Sequence, residues 1–458
     1  AVVVGASLGG LCAARVLADS FERVTLVERD AVPRGACDRP GVPQARHVHA
    51  LLARGMEELE RLFRGFRKDM LEQGAVASDM GLDAAVMRAY GWAPRQRFGI
   101  DLLLASRRLI EHVVREKCFA LPNVEVLEGT TVTGLRTTRQ GSRLRAAGVE
   151  IDGRSIGAEL VVDASGRTSR APEWLRKAGL EPPEETVVDG LAGYSTRWYE
   201  APERLPENWW WKSILIEPRP PENMYGAVLV PVEGRQWIVT LAGLSRRYPP
   251  TDEAGFTAAL RWLRSPLIAE AVALAKPASP VYGSRAMSNR LRHYERWRNR
   301  LDGFVAVADS VCVFNPIYGQ GMTTSAICAR VLAEAIRDTA PTDPALAATF
   351  FRMQARAQQD PWALATGADL RLPDTEGPRP FGASLVGRYM ESLFLSTRED
   401  PVVHRLLFEV LQMLRPVSAL LAPGIAARVA ARSLRRRIGG EGAIAGPVPA
   451  SPPMQAPL

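Results

Sequence analysis

The sequence predicts an α/β protein: a Rossmann-like nucleotide-binding domain, interrupted by an inserted antiparallel sheet and followed by a helical region. Three observations carry this prediction. The opening AVVVGASLGGLCAARVLADSFERVTLVERD reads as strand, tight glycine turn, helix and strand, with the short β-branched runs of a buried parallel sheet. Between about 184 and 245 the pattern changes to longer alternating segments such as MYGAVLVPVEGRQWIVTLAG, as in antiparallel strands. The stretch GFVAVADSVCVFNPIYGQGMTTSAICARVLAEAI then returns to strand, loop, glycine turn and long helix.

The elements follow in order. A loop rich in Pro, Gly and Arg covers residues 31–47, and a helical pattern runs on to about 65. A helix is expected over Arg107 to Lys117, with strands near 124–134 and 145–163, the last ending in VVDASGR. The first βαβ unit is therefore interrupted and resumed, unlike the continuous series of an NAD dehydrogenase. A helix is expected around 252–275, and the pattern beyond 346 is mainly helical. The expected division is 1–183 with 281–345 for the nucleotide domain, 184–280 for the inserted sheet, 346–440 for the helical region, and a disordered Pro/Gly/Ala-rich tail over 441–458.

Composition narrows the function classes. With 458 residues, two intertwined domains are the natural expectation. Hydrophobic residues at 47% and charged residues at 24% place the chain among ordinary globular proteins rather than disordered ones. The net charge of +8 is almost all arginine, since Lys occurs only at Lys68, Lys117, Lys177, Lys212 and Lys276. Scattered arginines without an aromatic-and-basic signature give no nucleic-acid reading and suit an anionic cofactor. The five cysteines form no CxxC, which fits a reduced, cytoplasmic protein with structural thiols. No signal sequence precedes the first strand in view; without an initiator Met, residues before Ala1 stay open. No uncharged run of about twenty apolar residues occurs.

The chemistry-bearing residues cluster in two places. Gly5, Ser7 and Gly10 hold the positions of G-x-G-x-x-G, with a small Ser in the middle that still admits a pyrophosphate at the helix N-terminus. Glu28, followed by Arg29, ends the second strand where a carboxylate can accept ribose hydroxyls. Far downstream, Asp309 follows an apolar strand and precedes a loop with Pro316, Gly319, Gly321 and Met322, offering a carboxylate for polyol hydroxyls and free amides for an anionic ring edge.

On these residues the chain resembles the FAD-dependent monooxygenases of the para-hydroxybenzoate hydroxylase fold. The resemblance implies that Glu28 binds the adenosine ribose, Asp309 the ribitol, and the amides near Gly321 and Met322 the N1 and O2 edge of the flavin, with Pro316 beside it. It implies that Arg39-Pro40-Gly41-Val42, with Gln44 next to it, is a mobile-flavin loop whose Arg39 lies near the pyrophosphate. It also implies that Arg107 begins the helix beside FAD. Two departures stand out: Ala308 where a Gly is usual, and Asp163-Ala164-Ser165-Gly166-Arg167 in place of an Asp-Gly pair. The motifs GVPQARHVH at 41–49, AYGW at 89–92 and FNPIYGQGM at 314–322 narrow the resemblance to the flavin epoxidases of polyether-antibiotic biosynthesis, the lasalocid and monensin epoxidases. It runs from residue 1 to about 370. His47 and His49 lack a clustered third ligand, so no metal is expected.

The resemblance implies oxygen transfer from a flavin C4a-hydroperoxide to an alkene of a hydrophobic polyketide-like or terpenoid substrate in secondary metabolism. Dioxygen is the co-substrate, and electrons come from NAD(P)H directly or through a separate flavin reductase. Epoxidation needs no deprotonation of the substrate, so no catalytic acid or base is nominated. Aromatic hydroxylase, flavin halogenase and prenyl double-bond reductase are alternatives on the same fold, and a non-catalytic flavoprotein is the alternative outside it. WWWKSILIEP at 209–218 lacks the halogenase G-W-x-W-x-I-P stretch. Tyr194, Trp198, Tyr225 and Trp237 are candidate substrate-lining residues, each equally consistent with core packing. A run of three, Trp209-Trp210-Trp211 must place at least one ring in the core. The C-terminal stretch from Pro401 to Arg437, ending in Arg432, Arg435, Arg436 and Arg437, reads as a helix packed on the nucleotide domain with a solvated basic end, or else as a membrane-surface helix.

Overall fold

The computed structural model describes residues 1–285, 287–298, 301–438 and 451–452, with the side chain of Arg437 outside that description. The tail expected over 441–458 lies outside the described residues, apart from Ser451 and Pro452. A five-stranded parallel sheet in the order Phe304–Ala306, Val161–Asp163, Val2–Val4, Val24–Val27 and Val124–Leu127 forms the first layer. Its strands Val2–Val4 and Val24–Val27 are buried on both faces and almost wholly apolar, Thr25 being the polar exception, as helices covering both sides require. Helix Leu8–Leu17 packs between helices Arg107–Phe119 and Gly321–Thr339.

Helix Arg107–Phe119 shows why these segments fold locally as they do. Ser106 caps it through Oγ, which accepts from Leu109 N at 3.1 Å. Its buried stripe of Leu109, Ile110, Val113, Val114 and Cys118 recurs at helical spacing. Each such burial contributes about 1.5–3 kcal/mol.

The second sheet runs Lys276–Pro277, Gly193–Glu200, Gln236–Gly243, Tyr225–Val232, Ser213–Ile216, Ala84–Arg88 and Gly91–Trp92, with Tyr282–Ser284 also paired to Gly193–Glu200. Strict alternation gives it two faces. Tyr199, Ala227, Leu229, Trp237, Val239 and Leu241 pack into one core with the helices Glu253–Ala259 and Leu267–Ala273. Trp198, Val230, Val232 and Ile238 form a second cluster that takes in Val48 of the first domain. The single helix expected over 252–275 is two, interrupted where Ser265 precedes Pro266.

Strand Ala84–Arg88 joins this sheet by pairing parallel to Ser213–Ile216, so the sheet reaches outside 184–280 into the 84–92 segment. Local pattern cannot reveal that, because the partner lies more than a hundred residues away. Trp211 is buried in the sheet's core, while Trp209 and Trp210 pack at its margin.

Four helices, Leu346–Asp369, Ala383–Ser396, Pro401–Leu411 and Pro423–Ile438, build the C-terminal region. The last three share their own core of Leu393, Val403, Leu407, Val410, Leu420 and Val429. Gln412 ties this group to the nucleotide domain by accepting from Ala53 N at 3.0 Å. Of the basic end expected to be solvated, Arg435 is exposed, whereas Arg432 and Arg436 pair with Glu399 at 3.6 and 3.8 Å; Arg428, earlier on the same helix, pairs with Asp400 at 3.0 Å. That helix packs on its two helical neighbours. Among the described residues no helix is long and apolar enough to cross a membrane.

Candidate functional site

The glycine turn is fixed by close backbone approach. Gly5 adopts φ +98°, and a Cβ on Gly10 would lie 1.8 Å from the Gly5 carbonyl oxygen, so neither position admits a side chain. Ser7 occupies the N-cap of helix Leu8–Leu17, yet its hydroxyl does not cap the helix. Its Oγ donates to Glu111 Oε2 at 2.9 Å and accepts from Arg107 Nη2 at 2.9 Å. The first turn also contains no acidic residue. Its amides are thus left for an anion, which fits a pyrophosphate.

Glu28, at the end of its strand, accepts from Ala6 N at 2.8 Å and Asp30 N at 3.1 Å and pairs with Arg39 Nη1 at 2.9 Å. Arg39 also reaches Glu111 Oε1, through Nε at 3.1 Å and Nη2 at 2.9 Å. Burial alone would raise the Glu111 carboxyl, but Arg107 and Arg39 outweigh it and hold it below its ordinary value. Val42 lines the same narrow cleft as Arg39, Arg107 and Glu111. The structure therefore brings Gly5, Ser7, Gly10, Glu28, Arg39, Val42 and Arg107 together, and leaves Arg29 and Gln44 exposed. Within the departing Asp163-Ala164-Ser165-Gly166-Arg167 turn, Asp163 is satisfied internally by Ser165 N at 3.0 Å and by the hydroxyls of Ser165 and Ser169.

The other end is built from backbone. Strand Phe304–Ala306 leads to Ala308 at φ +52°, a left-handed conformation that explains why glycine is usual there and that strains an alanine. Asp309, next in the chain, has no hydrogen-bond partner among the described residues. Burial pushes its carboxyl up, against the pull of Arg167, Arg107 and Arg290. A half-buried carboxylate without a donor fits a polyol such as ribitol. Gly321 begins its helix at the same place, a Cβ there standing 3.8 Å from Asp309 Oδ1, and no side chain caps that helix. Met322 is buried and Pro316 exposed.

Gly319, at φ +68°, lies against Ala50, the residue that follows the 41–49 motif: a Cβ on Gly319 would come within 2.9 Å of the Ala50 methyl. Asp369, which sequence reasoning missed, anchors the 314–319 turn by accepting from Tyr318 Oη at 2.7 Å and Asn315 Nδ2 at 3.1 Å, and from Asn289 Nδ2 at 2.7 Å.

Loop 41–50 is fastened to the second sheet. His47 Nδ1 shares a hydrogen bond with Thr196 Oγ1 at 2.8 Å, and its ring meets Tyr194 edge-on with centroids 4.4 Å apart. Trp198 Nε1 donates to the Arg46 carbonyl at 2.8 Å. Tyr194, Thr196 and Trp198 alternate along one strand and share the face turned to the loop. Tyr225 and Trp237 do not share it. Trp237 pairs across strands with Tyr199 and, with Tyr225, packs on the opposite face, in line with the core-packing alternative. Alternation fixes which residues share a face but not which face meets the cofactor domain. Burial lowers the imidazoles of His47 to about 4, with Arg46 adding to it, and of His49 to about 3, with Arg107 adding to it. Both are neutral and weakly basic near pH 7. Among the described residues no three His, Cys, Asp or Glu side chains group as metal ligands.

Residues 1–171 match the family model described as FAD dependent oxidoreductase. The chain is similar to "Protein Rv3254" of Mycobacterium tuberculosis, 29% identical over 452 residues that cover 95% of this chain and 94% of that one. Among solved structures it is similar to the flavin-dependent brominase Bmp2, with a TM-score of 0.65 and 14% identity over 95% of this chain and 98% of that one. It is also similar to PqsL of Pseudomonas aeruginosa, described as a probable FAD-dependent monooxygenase, with a TM-score of 0.57 and 17% identity over 90% of this chain and 98% of that one. The fold is that of these FAD-dependent proteins, and the segment that matches the FAD dependent oxidoreductase model contains the glycine turn, Glu28, Arg39 and Arg107.

Proposed function

We propose that the chain is an FAD-dependent monooxygenase that epoxidises an alkene of a hydrophobic polyketide-like or terpenoid substrate. The observation that carries this reading is the meeting of the 41–50 and 314–322 loops beneath the Tyr194, Thr196 and Trp198 face of the second sheet. In this reading Glu28 takes the adenosine ribose, Arg39 and Arg107 the pyrophosphate, Asp309 the ribitol, and the Gly321 and Met322 amides the ring edge. Bound FAD would supply the activated oxygen. The residues of the chain orient the alkene and exclude water, with the sheet of 184–280, extended by 84–92, as the roof.

Among the described residues, the imidazoles on the flavin-side loop, His47 and His49, are too weakly basic at their lowered values to act as the base that phenol hydroxylation uses, which supports epoxidation. A halogenase reading draws on the likeness to Bmp2, but Lys212, the lysine of the WWWKS stretch, donates to the Ala77 carbonyl and pairs with Asp83 at 2.9 Å. NAD(P)H, directly or through a flavin reductase, is the proposed electron source.

The test loads the full chain with FAD, supplies NADPH alone or NADH with a flavin reductase, and offers acyclic terpenoid and polyketide-derived alkenes under labelled dioxygen. One labelled oxygen in an epoxide product is the expected outcome. Bromination of a phenol without epoxide formation would support the halogenase reading instead, and anaerobic saturation of the alkene would support a reductase.

A further inference from the structure

We propose that Glu111 is a positioning residue for the dinucleotide: one buried carboxylate that holds Arg39 and Arg107 together at the N-terminal end of helix Leu8–Leu17. This rests on the reading that FAD binds there. The two oxygens of Glu111 are divided between the arginines. Oε1 accepts from Arg39 Nε at 3.1 Å and Nη2 at 2.9 Å, and Oε2 accepts from Arg107 Nε at 3.3 Å and Nη2 at 3.0 Å and from Ser7 Oγ at 2.9 Å. Arg39 also donates to the Ala6 carbonyl at 3.2 Å, and Arg107 to Ser7 Oγ at 2.9 Å, so both guanidiniums lie against the glycine turn itself. Three separate pieces of chain, the 31–47 loop, the Arg107 helix and the turn, are thereby joined through one side chain.

The chemistry of the pair explains the need for it. An arginine free in solution loses rotamer freedom when it takes a phosphate, and a carboxylate that already holds its fork reduces that loss at the moment of binding. Glu111 achieves this at an electrostatic cost. Its carboxyl stays ionised, held low by Arg107 and Arg39 against burial, and a bare negative charge at this place repels a pyrophosphate. Charge and positioning therefore predict opposite signs for its removal, and the sign of the change decides between them.

The experiment uses the deflavinated full chain, titrated with FAD by quenching of flavin fluorescence and with ADP as a competitor that contains the pyrophosphate half alone. Glu111→Gln keeps the shape of the side chain but turns an amide toward one of the arginines. It is expected to weaken both FAD and ADP about tenfold, the order of one lost charge-assisted hydrogen bond. In an Arg39→Gln background the same change is expected to add only about threefold, because the Arg107 half of the clamp then remains. A purely structural role would give additive losses. Equal or tighter binding by Glu111→Gln, or full additivity with Arg39→Gln, overturns the proposal. Should Glu111→Gln fail to fold, Glu111→Asp, too short to reach both arginines, is judged by the same two criteria. A parent chain that takes up no FAD overturns the FAD reading, whereas normal uptake by the parent with unchanged uptake by the variants overturns this proposal alone.

Discussion

At the glycine-turn end of the site, Glu28, Arg39, Glu111 and Arg107 are linked by ion pairs of 2.9–3.0 Å, each side chain nearly buried. At the Asp309 end the carboxylate has no donor, the helix behind it has no cap, and the neighbouring chain turns through Ala308 and Gly319 in left-handed conformations. The difference teaches where each end obtains its fit. The first is rigid through charge and can tolerate only small adjustments, while the second holds unsatisfied polar groups ready for a partner. The apolar face around His47, Tyr194 and Trp198 belongs with the second.

The largest expected effect lies at the open end. Asp309→Ala removes the carboxylate proposed to hold the ribitol and should lower FAD retention about tenfold or more, read as the ratio of flavin to protein absorbance after desalting. Full retention would show that the glycine-turn end alone secures the cofactor and would erase the contrast. Next comes acid sensitivity. The folded protein keeps the His47 imidazole at about 4, against an ordinary value of 6.5. The unfolded chain therefore takes up a proton below about 6.5 that the folded chain refuses until about 4. Stability should be level above pH 6.5 and fall as pH drops through that window, by about 3 kcal/mol in the limit. Melting curves at pH 7 and 5 test this; His47→Gln should reduce the difference by its own share, with His49 and His404, lowered to about 3 and about 4, supplying the rest, and an unchanged acid slope would place its origin elsewhere. The smallest effect separates the two faces of the second sheet. Trp237→Phe should cost about 1–2 kcal/mol of stability without changing substrate KM, whereas Trp198→Phe, which loses the bond to the Arg46 carbonyl, should raise KM a few-fold. If both variants raised KM alike, the assignment of faces would be wrong.

Much of this site was legible because its essential residues sit in local patterns. The strand, turn and helix around Gly5 and Gly10, the acid at Glu28 and the Asp309 turn all lie within a few residues of the backbone geometry that uses them. Glu111 carried a readable signal as well, standing four residues after Arg107 on one helix face, but its tie to Arg39 joins segments 72 residues apart. Asp369 lay beyond reach for the same reason, since its donors come from Asn289, Asn315 and Tyr318. That Tyr225 and Trp237 lie on the face opposite Tyr194 and Trp198 was not legible, because a two-residue period has no sign. The ion pairs of Arg428, Arg432 and Arg436 depend on how a helix docks, which its own composition does not record.

The parallel pairing of Val161–Asp163 with Phe304–Ala306 has a bearing on how the protein is made. Translation delivers the second strand about 140 residues after the first, roughly 7–28 s later at ordinary elongation rates. Throughout that interval the nascent chain carries an apolar strand with one side open, the kind of edge that other chains can join. The stretch of residues 1–171 would leave the ribosome with all its early strands and still be unable to finish its sheet. A fragment cut there should therefore depend on chaperones or aggregate, while the intact chain closes the edge from within its own C-terminal half.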